Sequence, residues 1–321
     1  MKLLLAPMEG LADAPMRDLL TAAGHYDWAV SEFARVSAAK LSARSFRRIA
    51  PELDHGSRTR AGAPVRVQLL GSDPACMAAS AAELAALAPA GIDLNFGCPA
   101  PTVNRHRGGA VLLEEPELIH RITRRVRAAV PAAVPVSAKM RLGVEDPGRA
   151  LDAARALAEG GVGLLVVHAR TRQQGYRPPA HWEWVGRVAD AVAVPVVANG
   201  EVWSVADWRR CRAISGVPDV MLGRGAVADP FLVDRIRSDR PFCADHDWPR
   251  LQRLIDAFWG DVQQRVPARH APGRLKQWLN LLRRRYPQAG ALFAALRAEA
   301  SVEGVSRVLG GASGPRSALA A

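Results

Sequence analysis

The sequence predicts an α/β chain, a (β/α)8 TIM barrel with a C-terminal all-helical domain, and three observations carry that prediction. Eight short apolar runs recur, at 3–6, 28–31, 65–70, 91–94, 134–139, 163–167, 194–198 and 219–222. Segments with helical periodicity lie between them, as at 74–87, 117–130, 148–159 and 182–191. After Ile236 the strand-like runs stop and the pattern becomes helical only. Near-continuous apolar strands joined by helical crossovers imply a parallel sheet covered on both faces. Eight such units are the complement of a closed barrel. The rival arrangement, an open doubly wound sheet, lacks its usual sign, because no GxGxxG follows the first strand.

Each part follows from local pattern. In 117–130, Leu118, Ile119, Ile122 and Val126 share one face, with His120, Arg121, Arg124 and Arg127 elsewhere, as an outer barrel helix requires. Residues 237–250, rich in Asp, Pro, Arg and His, read as a connector. In 274–285 the stripe Leu275, Trp278, Leu279 and Leu282 stands apart from Lys276, Asn280, Arg283 and Arg284. The expected organisation is a barrel catalytic domain over 1–240, a helical domain over 241–311, and a flexible Gly-, Ala- and Ser-rich tail over 312–321. A chain of 321 residues suffices for one large and one smaller domain.

Composition narrows the function classes. Apolar residues make up 49% of the chain, which excludes disorder. Lys and Arg number 43 against 31 Asp and Glu, a formal charge of +12 that attracts polyanions. The four cysteines, Cys76, Cys98, Cys211 and Cys243, form no CxxC pair and match no zinc or iron–sulfur spacing, so no metal is expected. Their number is low for a disulfide scaffold. The opening apolar run is too short for a signal-peptide core, and no run approaches the roughly 18 apolar residues of a membrane span. The expectation is a cytoplasmic protein with no membrane contact and no obligate protein partner.

Active sites of this barrel lie at the C-terminal ends of the strands. Polar and glycine residues mark every such end here: Met8 and Glu9, Glu32, Gln68, Asn95 and Cys98, Lys139 and Arg141, His168 and Arg170, Asn199 to Glu201, and Gly223 to Gly225. Packing does not explain eight consecutive polar ends. The last two ends, Asn199-Gly200-Glu201 and Gly223-Arg224-Gly225, combine glycines with an arginine fork where this fold commonly holds phosphate, so a phosphate-bearing cofactor is expected. Cys98 sits on a loop between Gly97 and Pro99 rather than on a helix stripe. A thiol so placed can donate a proton or act as a nucleophile, and the residues alone leave both roles open.

The ordered motifs resemble the tRNA-dihydrouridine synthase family. They run Ala6-Pro7-Met8-Glu9-Gly10 with Asp13 and Arg17, then Asp93-Leu94-Asn95-Phe96-Gly97-Cys98-Pro99. Val103-Asn104 and Gly108-Gly109-Ala110 follow, then Lys139-Met140-Arg141-Leu142-Gly143, His168-Ala169-Arg170-Thr171, Asn199-Gly200-Glu201 and Gly223-Arg224-Gly225. The resemblance reaches to about residue 295. It implies a barrel that binds FMN noncovalently, NADPH as reductant, and a C-terminal helical domain that helps hold tRNA. It further implies hydride transfer from reduced FMN to C6 of a uridine and protonation of C5 by Cys98, which makes Cys98 a general acid. Pro7, Met8, Glu9, Gln68, Lys139, His168, Asn199, Gly200, Glu201, Gly223 and Arg224 would then line FMN. Asn95 and Arg141 would sit by the flipped uracil, with Arg170 and Tyr176 also on the tRNA side.

Within the family the chain resembles the C-type bacterial enzymes, which modify U16 in the D-loop. The stretches that carry this are Met8-Glu9-Gly10, Ser31-Glu32-Phe33-Ala34-Arg35-Val36 and Cys98 through Gly109, with Gln174-Gly175-Tyr176 and Leu275-Lys276-Gln277-Trp278-Leu279. Arg35, Arg274 and Lys276 fall where that subgroup orients tRNA. Two departures stand out. Met16 replaces an aromatic residue before Arg17, and Arg105-His106-Arg107 replaces a Gly- or Ser-rich turn after Asn104. Other flavin barrel reductases, such as a dihydroorotate dehydrogenase or an ene-reductase, would not predict the basic helical extension. A noncatalytic RNA-binding barrel would not need Cys98, Lys139 and His168.

Overall fold

The computed structural model describes residues 1–312, arranged as two compact units that divide between Gly223 and Arg224. The expected division at 240/241 lies inside the second unit. Of the expected tail, only Ala312 falls within the described residues, where it ends the last helix.

In the first unit eight parallel strands close on themselves in sequence order. They are β1 (Leu3–Leu5), β2 (Trp28–Arg35), β3 (Val65–Leu70), β4 (Ile92–Phe96), β5 (Val136–Arg141), β6 (Leu165–His168), β7 (Val196–Asn199) and β8 (Asp219–Leu222). The helices are α1 (Ala14–Ala23), α2 (Ala43–Ile49), α3 (Pro74–Ala85), α4 (Pro101–Asn104), α5 (Pro116–Ala129), α6 (Ala150–Glu159), α7 (Trp182–Ala191) and α8 (Val205–Ser215). Closure is the pairing of β1 with β8, in register Leu3↔Val220. Leu4, Ala6, Trp28, Val30, Leu164, Val166, Val197 and Met221 form a buried cluster. These are alternate residues of neighbouring strands, so they fill the barrel interior.

Several strands run one to four residues beyond the apolar runs. β2 reaches Arg35, β4 reaches Phe96, β5 reaches Arg141, β6 reaches His168 and β7 reaches Asn199. The pairings Arg141↔His168 and His168↔Asn199 show the backbone ladder continuing under polar side chains. Hydropathy therefore ends a strand too early at a barrel mouth, because the ladder needs only backbone groups. A register shift between Val30 and Phe33 bends β2, as a bulge does.

Two of the motif residues serve the fold. Asp13 caps α1 by accepting a hydrogen bond from Met16 N at 3.1 Å. Arg17 is wholly buried, donating to Glu52 at 2.8 Å and to the carbonyl of Ala12 at 2.7 Å.

The second unit holds α9 (Arg224–Ala228), α10 (Leu232–Ser238), α11 (Ala244–Arg265), α12 (Ala271–Leu282), α13 (Pro287–Leu296) and α14 (Val302–Ala312). The predicted stripe Leu275, Trp278, Leu279 and Leu282 on α12 is wholly buried. Trp278 donates from its indole nitrogen to Val227 O at 3.0 Å and meets the Phe258 ring edge-on at 4.9 Å. A large aromatic with its one polar atom satisfied anchors a core of this size. Among the described residues no helix is long and apolar enough to cross a membrane.

Candidate active site

The barrel mouth assembles from strand ends that face the interior. Lys139 pairs in register with Val166, a member of the interior cluster. Asn95 pairs with Lys139, Asp93 with Ser137, and Gln68 with Asp93. Paired residues share a face, so all five project into the barrel. Asn199 likewise pairs with the interior residue Met221.

Cys98 leaves β4 on a loop held from two sides. Asn95 Oδ1 accepts hydrogen bonds from the backbone N–H groups of Gly97 and Cys98, both at 2.9 Å. Asn104 Nδ2 donates to Cys98 O at 3.0 Å and to Ala100 O at 2.8 Å, while its Oδ1 accepts from Val111 N at 3.0 Å. Gly109 closes the loop with φ +68°, and a Cβ there would stand 2.7 Å from Cys98 O. Only glycine permits that approach. Asn104 belongs to a motif legible in the sequence, yet its clamping role is visible only here. The thiol itself is half-buried, and its pKa is raised, chiefly by burial with a smaller push from the Glu9 charge. It is therefore protonated at neutral pH, which suits a proton donor better than a thiolate nucleophile.

Lys139 is half-buried, and its ammonium makes no hydrogen bond or ion pair among the described residues. Burial lowers its pKa to about 8, and the neighbouring Arg141 charge pushes the same way. Glu9 is exposed as a residue, yet its carboxyl is raised to about 6 by partial burial and then by the Glu32 charge. Glu32 accepts from Gly10 N at 2.6 Å, which ties the first loop to β2.

Two predicted RNA-side arginines are buried. Arg141, 1% exposed, donates to Gly97 O at 2.9 Å, Thr171 O at 2.9 Å and Gly175 O at 2.8 Å. Its guanidinium lies over the Tyr176 ring, 5.2 Å from the centroid. Arg170, 0% exposed, pairs with Glu201 and donates to Arg177 O at 2.7 Å and Pro179 O at 3.2 Å. The two arginines thus hold the loop after β6 from beneath. Tyr176, on that loop, is 53% exposed and lies 6.0 Å from the His168 ring.

The remaining predicted residues divide similarly. Gln68 is wholly buried with both ends of its amide engaged, to Asp93 and Asn95, each at 2.7 Å. Asn199 donates to Met221 O at 2.8 Å. Gly200 has φ +115° and receives the His168 ring so closely that a Cβ would lie 2.8 Å from its Cδ2. Glu201 has φ +59°, a strained conformation for a non-glycine residue, held by Arg170 and by the Trp203 indole at 3.0 Å. At Gly223 an added Cβ would stand 3.7 Å from Met8 Sδ. Pro7 and Met8 are half-buried after β1, and Arg224 opens the second unit. Arg35 is exposed at the end of β2 and donates to Thr102 O at 3.4 Å, beyond the Cys98 loop. In the second unit, Arg274 lies over Phe258 at 5.0 Å. Lys276 donates to the carbonyls of Arg297 at 3.1 Å and Glu299 at 2.6 Å, at the end of α13.

Residues 4–279 match the family model for dihydrouridine synthase. The chain belongs to the dihydrouridine synthase family. The chain is 58% identical over 311 residues to the tRNA-dihydrouridine(16) synthase of Aquipseudomonas alcaligenes, covering 96% of this chain and 99% of that protein. It is 56% identical over 320 residues to that of Cupriavidus necator, covering 99% of each. Among solved structures it is similar to histamine dehydrogenase from Rhizobium sp. 4-9, with TM-score 0.57 and 15% identity over 74% of this chain and 46% of the other. It is also similar to an old yellow enzyme homologue from Zymomonas mobilis, with TM-score 0.51 and 14% identity over 75% and 90%. Those two likenesses bear on the barrel fold. Membership of the dihydrouridine synthase family bears on the chemistry.

Proposed function

We propose that this chain reduces uridine 16 in the D-loop of tRNA to 5,6-dihydrouridine, with FMN bound in the barrel mouth and NADPH as reductant. Family membership and the names of its relatives support the reaction and the position. The observation that carries the mechanism is the neutral Cys98 thiol, presented at the barrel mouth on a loop locked by Asn95 and Asn104.

The residues present fit a flavin. Lys139 is a sequestered ammonium that makes no side-chain hydrogen bond among the described residues, the chemistry needed beside a ring that carries negative charge when reduced. Gly200 removes the side chain that would block the His168 ring. Lys139, His168, Asn199, Gly200, Glu201 and Gly223, with Pro7, Met8 and Glu9, would hold the cofactor. Gln68 would meet it from the barrel interior, and Arg224 enters this proposal through its adjacency to Gly223. When bound, FMN supplies the hydride to C6 of the uracil and is recharged by NADPH. Cys98 gives its S–H proton to C5, so uridine, NADPH and a proton become dihydrouridine and NADP+. Raised above its ordinary pKa, the thiol is fully protonated for that transfer at neutral pH.

The base must leave its stack to reach a concave mouth. A loop uridine is easier to extract than a duplexed one. Tyr176 offers an exposed ring for stacking there, and Asn95 would meet the uracil edge. Arg141 and Arg170 act in this scheme as positioning residues for the Tyr176 loop. Arg35, Arg274 and Lys276 orient the tRNA, and the reaction takes place in the cytoplasm.

Expression in cells that lack their own synthases, followed by sequencing of tRNA, tests the reading. Dihydrouridine at position 16 alone is expected. Product at 17 or 20 with 16 untouched refutes the position, and no product refutes the activity. Purified protein should be yellow and release FMN on denaturation. Cys98→Ala should keep NADPH-driven flavin reduction and lose about 10²–10⁴-fold in single-turnover uridine reduction.

A further inference from the structure

Asp93 touches neither the Cys98 loop nor solvent, yet a directional chain of hydrogen bonds links it to that loop. Ser137 Oγ donates to Asp93 Oδ1 at 2.7 Å, and Gln68 Nε2 donates to Asp93 Oδ2 at 2.7 Å. Gln68 Oε1 accepts from Asn95 Nδ2 at 2.7 Å, and Asn95 Oδ1 accepts from the N–H groups of Gly97 and Cys98 at 2.9 Å. Asp93 is 1% exposed, Gln68 0% and Asn95 9%, so water has little access to substitute for a broken link.

The direction matters because each side-chain amide has one accepting and one donating end. Towards Asn95 the Cys98 loop turns two N–H donors, from Gly97 and Cys98, so Asn95 must show it oxygen. Asn95 then has only nitrogen left for Gln68, and Gln68 must show it oxygen in turn. The chain closes only if the residue beyond Gln68 accepts. An ionised carboxylate does so without ambiguity. Burial pushes this carboxyl up, and the Gln68 and Ser137 hydrogen bonds with the Arg66 and Lys139 charges favour the ionised form against it. An amide at 93 could equally present its donor and reverse both links.

We propose that Asp93 is a positioning residue for the proton donor: by fixing the orientation of the Gln68 and Asn95 amides, it fixes the backbone of Gly97 and Cys98 and hence the thiol. The proposal rests on Cys98 being the acid, but its test reads the thiol directly. A buried polar chain satisfied at every link specifies one geometry, while a chain with one link reversed has none. The turn that aims the thiol is then set by a residue inside the barrel, two positions before Asn95 on the same strand.

The test is the rate of iodoacetamide alkylation of Cys98 in the full-length, flavin-loaded protein, followed by peptide mass spectrometry between pH 7 and 10. Peptide mapping separates Cys98 from the other cysteines. Asp93→Asn should shift this profile and change the rate at fixed pH by several-fold. It should lower single-turnover uridine reduction by about 10-fold or more while NADPH-driven flavin reduction stays normal. Ser137→Ala removes a hydrogen bond to the same carboxylate without altering any direction, and should leave the profile in place. Asp93→Asn combined with Gln68→Glu restores an unbroken direction, since a carboxylate in place of the Gln68 amide accepts from both neighbours. That double variant should return the Cys98 profile towards wild type. Should Asp93→Asn fail to fold, the comparison of Gln68→Glu alone with the double variant carries the test. An unchanged profile in Asp93→Asn overturns the proposal. So does a double variant no closer to wild type than either single, or a Ser137→Ala effect as large as that of Asp93→Asn. If the profile shifts as expected while uridine reduction is unaffected, the positioning stands and Cys98 is not the acid.

Discussion

Buried arginines organise both units, in different ways. At the barrel mouth Arg141 directs its donors to carbonyls of three loop residues, and Arg170 to two carbonyls and one partly exposed carboxylate. In the helical unit Arg235 faces carboxylates on two sides. It donates to Asp229 at 2.8 Å and pairs with Asp247, which also receives Arg240 at 2.8 Å, and the Tyr286 hydroxyl donates to Asp229 at 3.0 Å. Asp229, Asp247 and Arg235 are all at most 3% exposed. The first arrangement braces loops whose partners are mostly dipoles. The second is a closed set of two positive and two negative charges that joins the start of α11 to α10 and to the segment before α13. One stabilises the geometry of a site, the other the packing of helices.

Four variants sharpen or break that contrast. The largest effect is expected from Arg235→Ala. It leaves two buried carboxylates short of a partner, and breaking a buried pair this way costs about 3–5 kcal/mol. Denaturant unfolding followed by helix content measures it, and a cost under about 1 kcal/mol would show that the charges merely coexist. Next is Arg170→Ala. Hydrogen bonds to a charged donor are worth about 1.5–3 kcal/mol, and Glu201, 24% exposed, can hydrate when unpaired. The loss of kcat/KM for uridine should therefore exceed the loss of stability, whereas a purely structural Arg170 would show the reverse.

Lys139→Met tests a cation whose ammonium makes no hydrogen bond among the described residues and feels the Asp93 charge only at a distance. With its pKa lowered from 10.5 to about 8, the folded chain sheds this proton while the unfolded chain still holds it. Stability should therefore rise with pH between those values, the opposite of a salt-bridged lysine. The methionine variant should be more stable than wild type at pH 7 in flavin-free form, should lose this lysine-linked rise, and should bind FMN more weakly. Parallel unfolding titrations of both proteins across pH 7 to 10 decide it. The smallest effect on the fold is expected from Arg283→Ala with Arg284→Ala, both exposed just beyond the end of α12. Stability should stay within about 0.5 kcal/mol. Binding to tRNA should weaken, with the salt slope flattened by about one unit per lost phosphate contact; an unchanged slope would leave these two arginines out of the RNA interface.

Sequence periodicity by itself determined the barrel, its helical extension and the strand ends where polar residues gather. Apolar periodicity reports which face of an element meets a core, and that is a local property. It also placed Leu275, Trp278, Leu279 and Leu282 correctly in one buried stripe. Motif order determined the family, since the Cys98, Lys139, His168 and Asn199 signatures fall at successive strand ends. What only the tertiary structure decided is the depth and the partners of each polar residue. Arg141 and Arg170 read as RNA contacts beside Tyr176, yet they are buried under its loop, while Tyr176 alone of the three is exposed. Lys276 reads as a free basic residue on a helix face, yet it donates to carbonyls at the end of α13. Asp93 reads as one more motif letter, yet it ends the hydrogen-bonded chain that runs to Cys98. A charge or an amide in a sequence has no direction and no depth. Both are supplied by partners such as Gln68 for Asn95, or Thr171 for Arg141, which are distant along the chain and meet only when the barrel closes.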